Sequence, residues 1–289
     1  FIENTEDPLV HGRGKSYQHS FCTDCRLMVN PESEIDAAIA AVANILCEAN
    51  SVLFVTGAGI SADSGLPTYR GVSGLYDGED TEDGVRIEDA LSGPMYARRP
   101  ELTWKYLWQI GSACVDAIPN AAHEIIAAIE SEKHDVWVMT QNVDGLHRIA
   151  GSKNLVEVHG HMFDLYCTNC GRDYTADQLC DFRGTRTLPP QCTDCHGVVR
   201  PRVVLFEEAL PFSVVQAMDD LSRKDFDVVF AIGTTAVFHY IRQPLALARS
   251  NDKPTVEINP TQTEVSSGFR YRIRLGAAEA MQRIRTCMN

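Results

Sequence analysis

Four short apolar segments constrain the fold of this chain more than any other feature. Each is rich in β-branched, aromatic and other apolar residues, and amphipathic helical patterns lie between them, for instance over residues 121–130 and 241–250. Apolar strands that alternate with helices form a parallel sheet that is covered on both faces. The four segments are residues 51–56, 135–140, 227–232 and 255–259. The sequence therefore predicts an α/β fold with an open parallel sheet.

Small or polar residues end each segment, and they indicate where a ligand binds. In open parallel sheets, ligands lie beyond the carboxyl ends of the strands. Glycines there let the backbone approach a pyrophosphate, and Ser61 with the amides of a helix start can bind its oxygens. The glycine turn alone is a weak signal, because it lacks the full spacing of a dinucleotide motif. The strand-end residues are Gly57-Ala58-Gly59, Gln141-Asn142, Gly233-Thr234-Thr235 and Asn259.

Two stretches interrupt the alternation of strands and helices. Residues 72–110 contain turn residues, an acidic run and a helical segment, whereas residues 161–201 contain closely spaced cysteines. We expect both stretches to be insertions that together form a smaller domain. The predicted main domain consists of what remains after a polar N-terminal extension over residues 1–30, namely residues 31–71, 111–160 and 202–289.

The chain has ten cysteines, and four of them have the spacing of zinc ligands. Cys167 and Cys170 form one close pair, Cys192 and Cys195 form another, and 21 residues separate the pairs. Two such pairs can supply four thiolates to a closed, structural zinc site; the alternative is four unrelated buried cysteines. A further pair, Cys22–Cys25, has no second half. Paired cysteines in a chain of this size indicate a reducing compartment, so we expect an intracellular, cytoplasmic protein.

The net charge of −13 bears on possible partners. It opposes binding to a nucleic-acid backbone, and it suits basic partners such as lysine-rich peptides, although it could serve solubility alone. No run of about 18 apolar residues occurs, so no membrane span is expected.

His159 follows an apolar segment and lies just before the first cysteine pair. A histidine with a pKa near neutrality can act as a general base. The alternative is a histidine that only holds the loop by hydrogen bonding, and composition does not decide between the two.

Several motifs occur in a fixed order along the chain. They are Gly57-Ala58-Gly59-Ile60-Ser61, Ser64-Gly65-Leu66-Pro67-Thr68-Tyr69-Arg70-Gly71, Gln141-Asn142-Val143-Asp144-Gly145-Leu146-His147, Val158-His159-Gly160, the four cysteines and Gly233-Thr234-Thr235. In order and spacing this set resembles the sirtuin family over roughly residues 33–289. The resemblance implies a Rossmann-type parallel sheet and a smaller domain made of a zinc ribbon and a helical insertion. It also implies an NAD-dependent protein-lysine deacylase with one structural Zn²⁺, in which NAD is a consumed co-substrate.

The resemblance also implies roles for individual residues. Nicotinamide leaves as the acyl-lysine carbonyl oxygen attacks the ribose C1′, and His159, as the base, takes a proton from the ribose hydroxyl that attacks the resulting alkylimidate. The products are free lysine, nicotinamide and an O-acyl-ADP-ribose. Asn142 joins His159 at the catalytic centre, and Asp144 bonds the carboxamide of nicotinamide. The residues implied to contact NAD are Gly57, Ala58, Gly59, Ser61, Thr68, Tyr69, Arg70, Gln141, Asn142, Asp144, Gly233, Thr234, Thr235 and Asn259.

One departure from the family pattern concerns the acyl group. The threonine of Pro67-Thr68-Tyr69-Arg70 resembles the branch that includes desuccinylases, which grip an acidic acyl chain with a tyrosine and an arginine. Alignment through Trp104 places Leu107 and Ile110 at those positions. Neither can pair with a carboxylate, and burying one unpaired costs roughly several kcal/mol. We therefore expect acetyl or longer apolar acyl groups to be preferred over succinyl.

A second departure concerns the segment that binds the substrate peptide. The family's phenylalanine-glycine-glutamate is Phe206-Glu207-Glu208 here, preceded by Val204 and Leu205. The resemblance implies that a substrate peptide adds to this stretch as a strand. We expect Glu207 to be extended and to favour basic residues beside the acyl-lysine, unless its side chain only points to solvent.

Two other functions fit the same motifs. A mono-ADP-ribosyltransferase would use the same glycine, asparagine and aspartate residues but would depend less on His159. A non-catalytic NAD sensor or zinc-ribbon interaction module would not need a base beside the ribose.

Overall fold

The computed structural model describes residues 31–68, 81–180, 182–184 and 187–288. The predicted N-terminal extension over residues 1–30, with Cys22 and Cys25, lies outside the described residues.

The described strands form two sheets. The strands are Ser51–Thr56 (β1), Asp135–Thr140 (β2), Leu155–Glu157 (β3), Gly160–Cys167 (β4), Asp173–Thr175 (β5), Val199–Val203 (β6), Val228–Ile232 (β7), Thr255–Ile258 (β8) and Tyr271–Ile273 (β9). Six parallel strands form the larger sheet, in the order β3-β2-β1-β7-β8-β9, and three antiparallel strands form a smaller one, in the order β5-β4-β6. The larger sheet has the doubly wound order of Rossmann-type folds, in which the connections reverse between β1 and β7. The predicted fold class is confirmed.

The helices of the described residues cover both faces of the larger sheet and one side of the smaller. They are Pro31–Glu48 (α1), Ile87–Ala90 (α2), Gly93–Arg98 (α3), Pro100–Cys114 (α4), Ala121–Glu132 (α5), Leu146–Ala150 (α6), Ala176–Leu179 (α7), Phe212–Ser222 (α8), His239–Ser250 (α9) and Ala277–Met288 (α10). Two 3₁₀ helices span Ala58–Ser64 and Ser266–Gly268. Over these ranges, we find no helix with the length and apolar character needed to cross a membrane.

Strand β1 shows why the predicted strands are apolar on both sides. Val52 and Phe54 face a core formed with α1, α5 and α10, whereas Leu53 and Val55 face a second core formed with α8 and α9. All four side chains are fully buried. Because successive residues of a strand point to opposite faces, two covered faces require an unbroken apolar run.

Strand β7 begins one residue later than predicted. The carboxylate of Asp227 accepts hydrogen bonds from the backbone N–H groups of Asn50 (2.9 Å) and Ser51 (3.0 Å). Its side chain is therefore used to hold the start of β1, and the strand proper starts at Val228.

The two insertions share one apolar core beside the smaller sheet. Trp104 of α4 is fully buried there, and its indole N–H donates to the carbonyl oxygen of Val199 on β6 at 2.9 Å. The domain boundaries themselves stay a prediction. Helix α4 runs through the predicted boundary after residue 110, β4 begins at Gly160 and β6 continues to Val203.

Candidate active site

Three glycines bring the carboxyl ends of β1 and β7 into direct contact. The N–H of Gly59 donates to the carbonyl oxygen of Gly233 at 2.8 Å. A Cβ on Gly59 would lie 2.6 Å from the Cα of Gly233, and a Cβ on Gly57 would lie 2.8 Å from the Cβ of Thr234. Gly233 also has a φ of 60°, and a Cβ there would lie 2.3 Å from the backbone nitrogen of Ile60. Larger residues cannot occupy these positions without displacing backbone.

Polar side chains line the floor of the cleft beside this turn. The Ser61 hydroxyl donates to an oxygen of Asp144 at 2.7 Å. The Asn142 amide donates to the Gly57 carbonyl oxygen and to the Ser61 hydroxyl, each at 3.2 Å. Burial raises the pKa of Asp144, although hydrogen bonds from the Leu146 N–H, Ser61 and Asn142 oppose the rise. The network therefore holds a desolvated carboxylate that suits an amide donor from a ligand.

Gln141 connects β2 to the turn after β7. Its amide N–H donates to the Thr234 hydroxyl at 2.7 Å, and that hydroxyl also accepts from the N–H of Ala236 at 3.0 Å. Among the other predicted NAD residues, Ala58, Thr68 and Asn259 are half-buried and Thr235 is exposed, whereas Tyr69 and Arg70 lie outside the described residues. Asn259 caps its own turn by accepting from the N–H of Thr261.

His159 lies between β3 and β4, and its ring has a defined tautomer. Its Nδ1 is 3.1 Å from the carbonyl oxygen of Gln141, and since a carbonyl oxygen only accepts, Nδ1 carries the proton. Nε2 then has a free electron pair, which accepts from the Tyr240 hydroxyl at 2.9 Å. Burial holds the pKa of His159 below its usual value of about 6.5, although the bond to Gln141 opposes this effect. The imidazole is therefore neutral at pH 7, as a general base must be.

The predicted peptide-binding segment is held on both sides. The Val204 N–H donates to the carbonyl oxygen of His159, and the Phe206 N–H donates to that of Leu91, each at 2.9 Å. Glu208 holds the end of the segment through a bidentate ion pair, in which the guanidinium of the buried Arg200 donates to the two carboxylate oxygens at 2.7 and 3.1 Å. The segment thus joins the base to the helical insertion.

The prediction that Glu207 is extended was wrong. Its φ is 65°, in the left-handed region, and its side chain is exposed. The Glu208 N–H donates to the Leu205 carbonyl oxygen at 3.1 Å, which closes a four-residue turn with Glu207 in third place. A positive φ is the rule at that place in a type II turn, so the contacts of Glu208 determine the backbone of Glu207.

The two residues predicted to line the acyl pocket lie on α4. Leu107 is buried in the core of the smaller sheet. Ile110 is half-buried and packs against both that core and a cluster of Leu66, Cys114 and Leu146. Leu66 precedes the cofactor motif at Pro67, and Leu146 follows Asp144 and Gly145, so Ile110 faces the region of the cleft.

The four paired cysteines converge at one end of the smaller sheet. Their sulfur atoms all lie within 4.8 Å of one another, with Cys167 3.5 Å from Cys195 and Cys170 3.6 Å from Cys192. Zn–S bonds of about 2.3 Å in a tetrahedron place the sulfurs about 3.8 Å apart. The four ligands fit one zinc ion and leave no position for a substrate.

Comparison with known proteins decides the family. The protein-family model that is described as "Sir2 family" matches residues 57–239 of this chain. The chain is 47% identical over 248 residues to NAD-dependent protein deacylase 2 of Pseudomonas aeruginosa, a match that covers 85% of this chain and 95% of that protein. The chain belongs to the Sir2 family.

Solved Sir2 structures share the fold. A Sir2 homologue crystallised with NAD is 31% identical, with a TM-score of 0.73, and the match covers 86% of this chain and 93% of that one. A Sir2 enzyme with a deacetylated p53 peptide and 3′-O-acetyl ADP-ribose is 26% identical, with a TM-score of 0.76, and the match covers 86% and 97% of the two chains.

Some residues of this Sir2 site were not predicted from the sequence. Tyr240 and Phe238 contact the His159 ring, and Arg200 pairs with Glu208. The residues around Tyr240 carry no recognised motif, and an arginine near an acidic residue gives no signal of a buried pair. Only the approach of the start of α9 to the loop between β3 and β4 reveals the first contact.

Replacing Cys192 with Ser should reduce bound zinc from one ion per chain to a small fraction, because a hydroxyl is a poor zinc ligand and three thiolates bind far more weakly. The same substitution at the exposed Cys47 of α1 is the matched control and should leave zinc content unchanged. Metal analysis of the purified variants checks this. Full zinc occupancy in the Cys192 variant would contradict the four-cysteine site.

Proposed function

We propose that this sirtuin is an NAD-dependent deacylase of lysine side chains in proteins or peptides. The observation that carries the proposal is a neutral, half-buried His159 that bonds to Gln141, next to Asn142 of the network with Ser61 and Asp144. Relatives such as the Pseudomonas aeruginosa protein are named as NAD-dependent protein deacylases, which supports the same activity.

The residues that would bind NAD follow from the contacts of the cleft. The pyrophosphate of NAD would lie against the backbone of the turn at Gly57 and Gly59. Asp144 would accept a hydrogen bond from the amide of nicotinamide. Its carboxylate is buried, and the Ser61 hydroxyl and the Leu146 N–H hold it in place. Asn142 and Gln141 would hold the ribose next to it. The two threonines after Gly233, with Asn259, would face the adenosine half.

His159 would perform the proton transfer. Its Nε2 electron pair takes the proton of the ribose hydroxyl, so that the oxygen can attack the acyl carbon, while the Gln141 carbonyl stabilises the positive ring through Nδ1–H. NAD supplies the C1′ centre from which nicotinamide departs. Deacylation therefore needs this base, whereas transfer of ADP-ribose to another acceptor does not, and the presence of the base favours deacylation.

The acyl-lysine peptide would bind along Val204 and Phe206, close to the base. Val204 bonds directly to the His159 backbone, so a strand added there would bring its lysine beside the imidazole. A Sir2 structure that holds a deacetylated p53 peptide supports a peptide as the kind of substrate. The exposed Glu207 would interact with residues flanking the lysine. The four cysteines that fit one zinc ion support an intracellular, cytoplasmic location, because paired metal ligands of this kind belong to a reducing compartment.

Replacing His159 with Ala should lower kcat/KM for deacylation by about 100-fold or more, since a positioned base contributes about that much. Zinc content and thermal stability should not change, and the exposed His134→Ala is the matched control. In the parent protein, kcat/KM should fall only below about pH 6.5, because burial lowers the pKa of the base and its protonated form is inactive. Full activity of the His159 variant, or an acid limb above pH 7, would contradict the proposal.

The acyl preference should be acetyl or longer apolar chains over succinyl, because Leu107 and Ile110 offer no partner for a carboxylate. Turnover of acetyl-, hexanoyl- and succinyl-lysine peptides measures this. Ile110→Arg should raise the succinyl-to-acetyl ratio, whereas Ile118→Arg, at a side chain that is 74% exposed, should not. Faster turnover of succinyl than of acetyl by the parent protein would contradict the assignment of the pocket.

A further inference from the structure

The electron pair with which His159 would act as a base is already occupied. With the Nδ1 proton donated to Gln141, the neutral ring has one acceptor, Nε2, and the Tyr240 hydroxyl donates to it at 2.9 Å. One electron pair accepts one strong hydrogen bond at a time. A substrate hydroxyl can therefore reach Nε2 only by taking the place of Tyr240.

Aromatic packing fixes the Tyr240 ring in this position. Phe238 stacks on it with ring centres 5.3 Å apart and planes at 10°, and the His159 ring meets both edge-on, at 5.7 Å from Phe238 and 6.1 Å from Tyr240. Tyr240 lies in the first turn of α9, and the next residue, Ile241, is fully buried in the core. Burial also raises the pKa of Tyr240, so its hydroxyl keeps its proton.

We propose that Tyr240 is a positioning residue, whose hydroxyl holds the His159 imidazole through Nε2 until the ribose hydroxyl of the bound co-substrate takes over that bond. The inference deepens the proposed function and rests on it. In the step that follows, the ribose O–H bond breaks, its proton moves to Nε2, and the freed oxygen forms the bond to the acyl carbon of the alkylimidate, whose carbon–nitrogen π pair moves to the nitrogen. Tyr240 keeps its own proton throughout.

The hydrogen bonds to Gln141 and Tyr240 together determine the orientation of the His159 ring in the absence of NAD. The bond to Gln141 fixes Nδ1 but allows the ring to tilt about that contact, and the bond to Tyr240 removes this freedom. Without the hydroxyl, the ribose hydroxyl would bond to Nε2 with no hydrogen bond to break first. The loss of one neutral hydrogen bond corresponds to a change of roughly 5- to 10-fold.

Tyr240→Phe removes the hydroxyl and keeps the ring that stacks on Phe238. Deacylation kcat/KM should rise roughly 5- to 10-fold, because the ribose hydroxyl then has no competitor for Nε2. Exchange of labelled nicotinamide into NAD should stay unchanged, because that first step precedes proton removal. Tyr271→Phe, in β9, is the matched control and should change neither rate. An unchanged or lower kcat/KM for deacylation, or an equal change of both rates, would overturn the proposed role of Tyr240.

A second measurement tests the contact without any turnover. In protein labelled with ¹⁵N-histidine, His159→Ala assigns the imidazole signals, and Tyr240→Phe should shift the Nε2 resonance of His159 while Tyr271→Phe should not. No shift in the Tyr240 variant would overturn the inference. If the parent protein removes no acyl group with NAD, the proposed function fails, and the nitrogen spectrum still reports whether Tyr240 holds the ring.

Discussion

The contact between the backbone of Gly59 and that of Gly233 is the constraint on which the rest of the cleft depends. It sets the turn after β1 directly on the turn after β7, at the point where the connections of the sheet reverse. Because no side chain separates the two turns, Thr234 comes within reach of Gln141, and Ser61 within reach of Asn142 and Asp144. The polar side chains at these strand ends therefore meet beside the two turns.

The smaller sheet gives this cleft its other wall, and the zinc site stabilises that sheet at a distance. Strand β4 starts next to His159 and ends at Cys167, so its eight residues separate the base from the sulfurs by roughly 20–25 Å. A zinc ion bound there lies too far away to act on a substrate. Its effect reaches the cleft through β6, where Arg200 holds Glu208 and so the segment that contacts His159.

The sequence was sufficient for the four central strands of the larger sheet and for the glycines and polar residues at their ends, because both depend on local patterns. A strand that is buried on both faces must be apolar throughout, as Val52 to Val55 are, and a glycine that contacts another backbone cannot be replaced. The contact of Tyr240 with His159 joins residues 81 positions apart and leaves no local pattern. The conformation of Glu207 was mispredicted for a similar reason, since the ion pair of its neighbour Glu208 with Arg200 determines it. Helices α8 and α10 lie in the part of the chain assigned to the main domain, but the alternation of strands and helices did not delimit them.

The identity of the products tests the central claim most directly. The full chain is incubated with NAD and an acetyl-lysine peptide, and peptide, nucleotide and protein are analysed by mass spectrometry. The account predicts equal amounts of free-lysine peptide, nicotinamide and O-acetyl-ADP-ribose, with the protein mass unchanged. ADP-ribose attached to protein while the peptide stays acetylated would contradict it and would instead indicate a mono-ADP-ribosyltransferase.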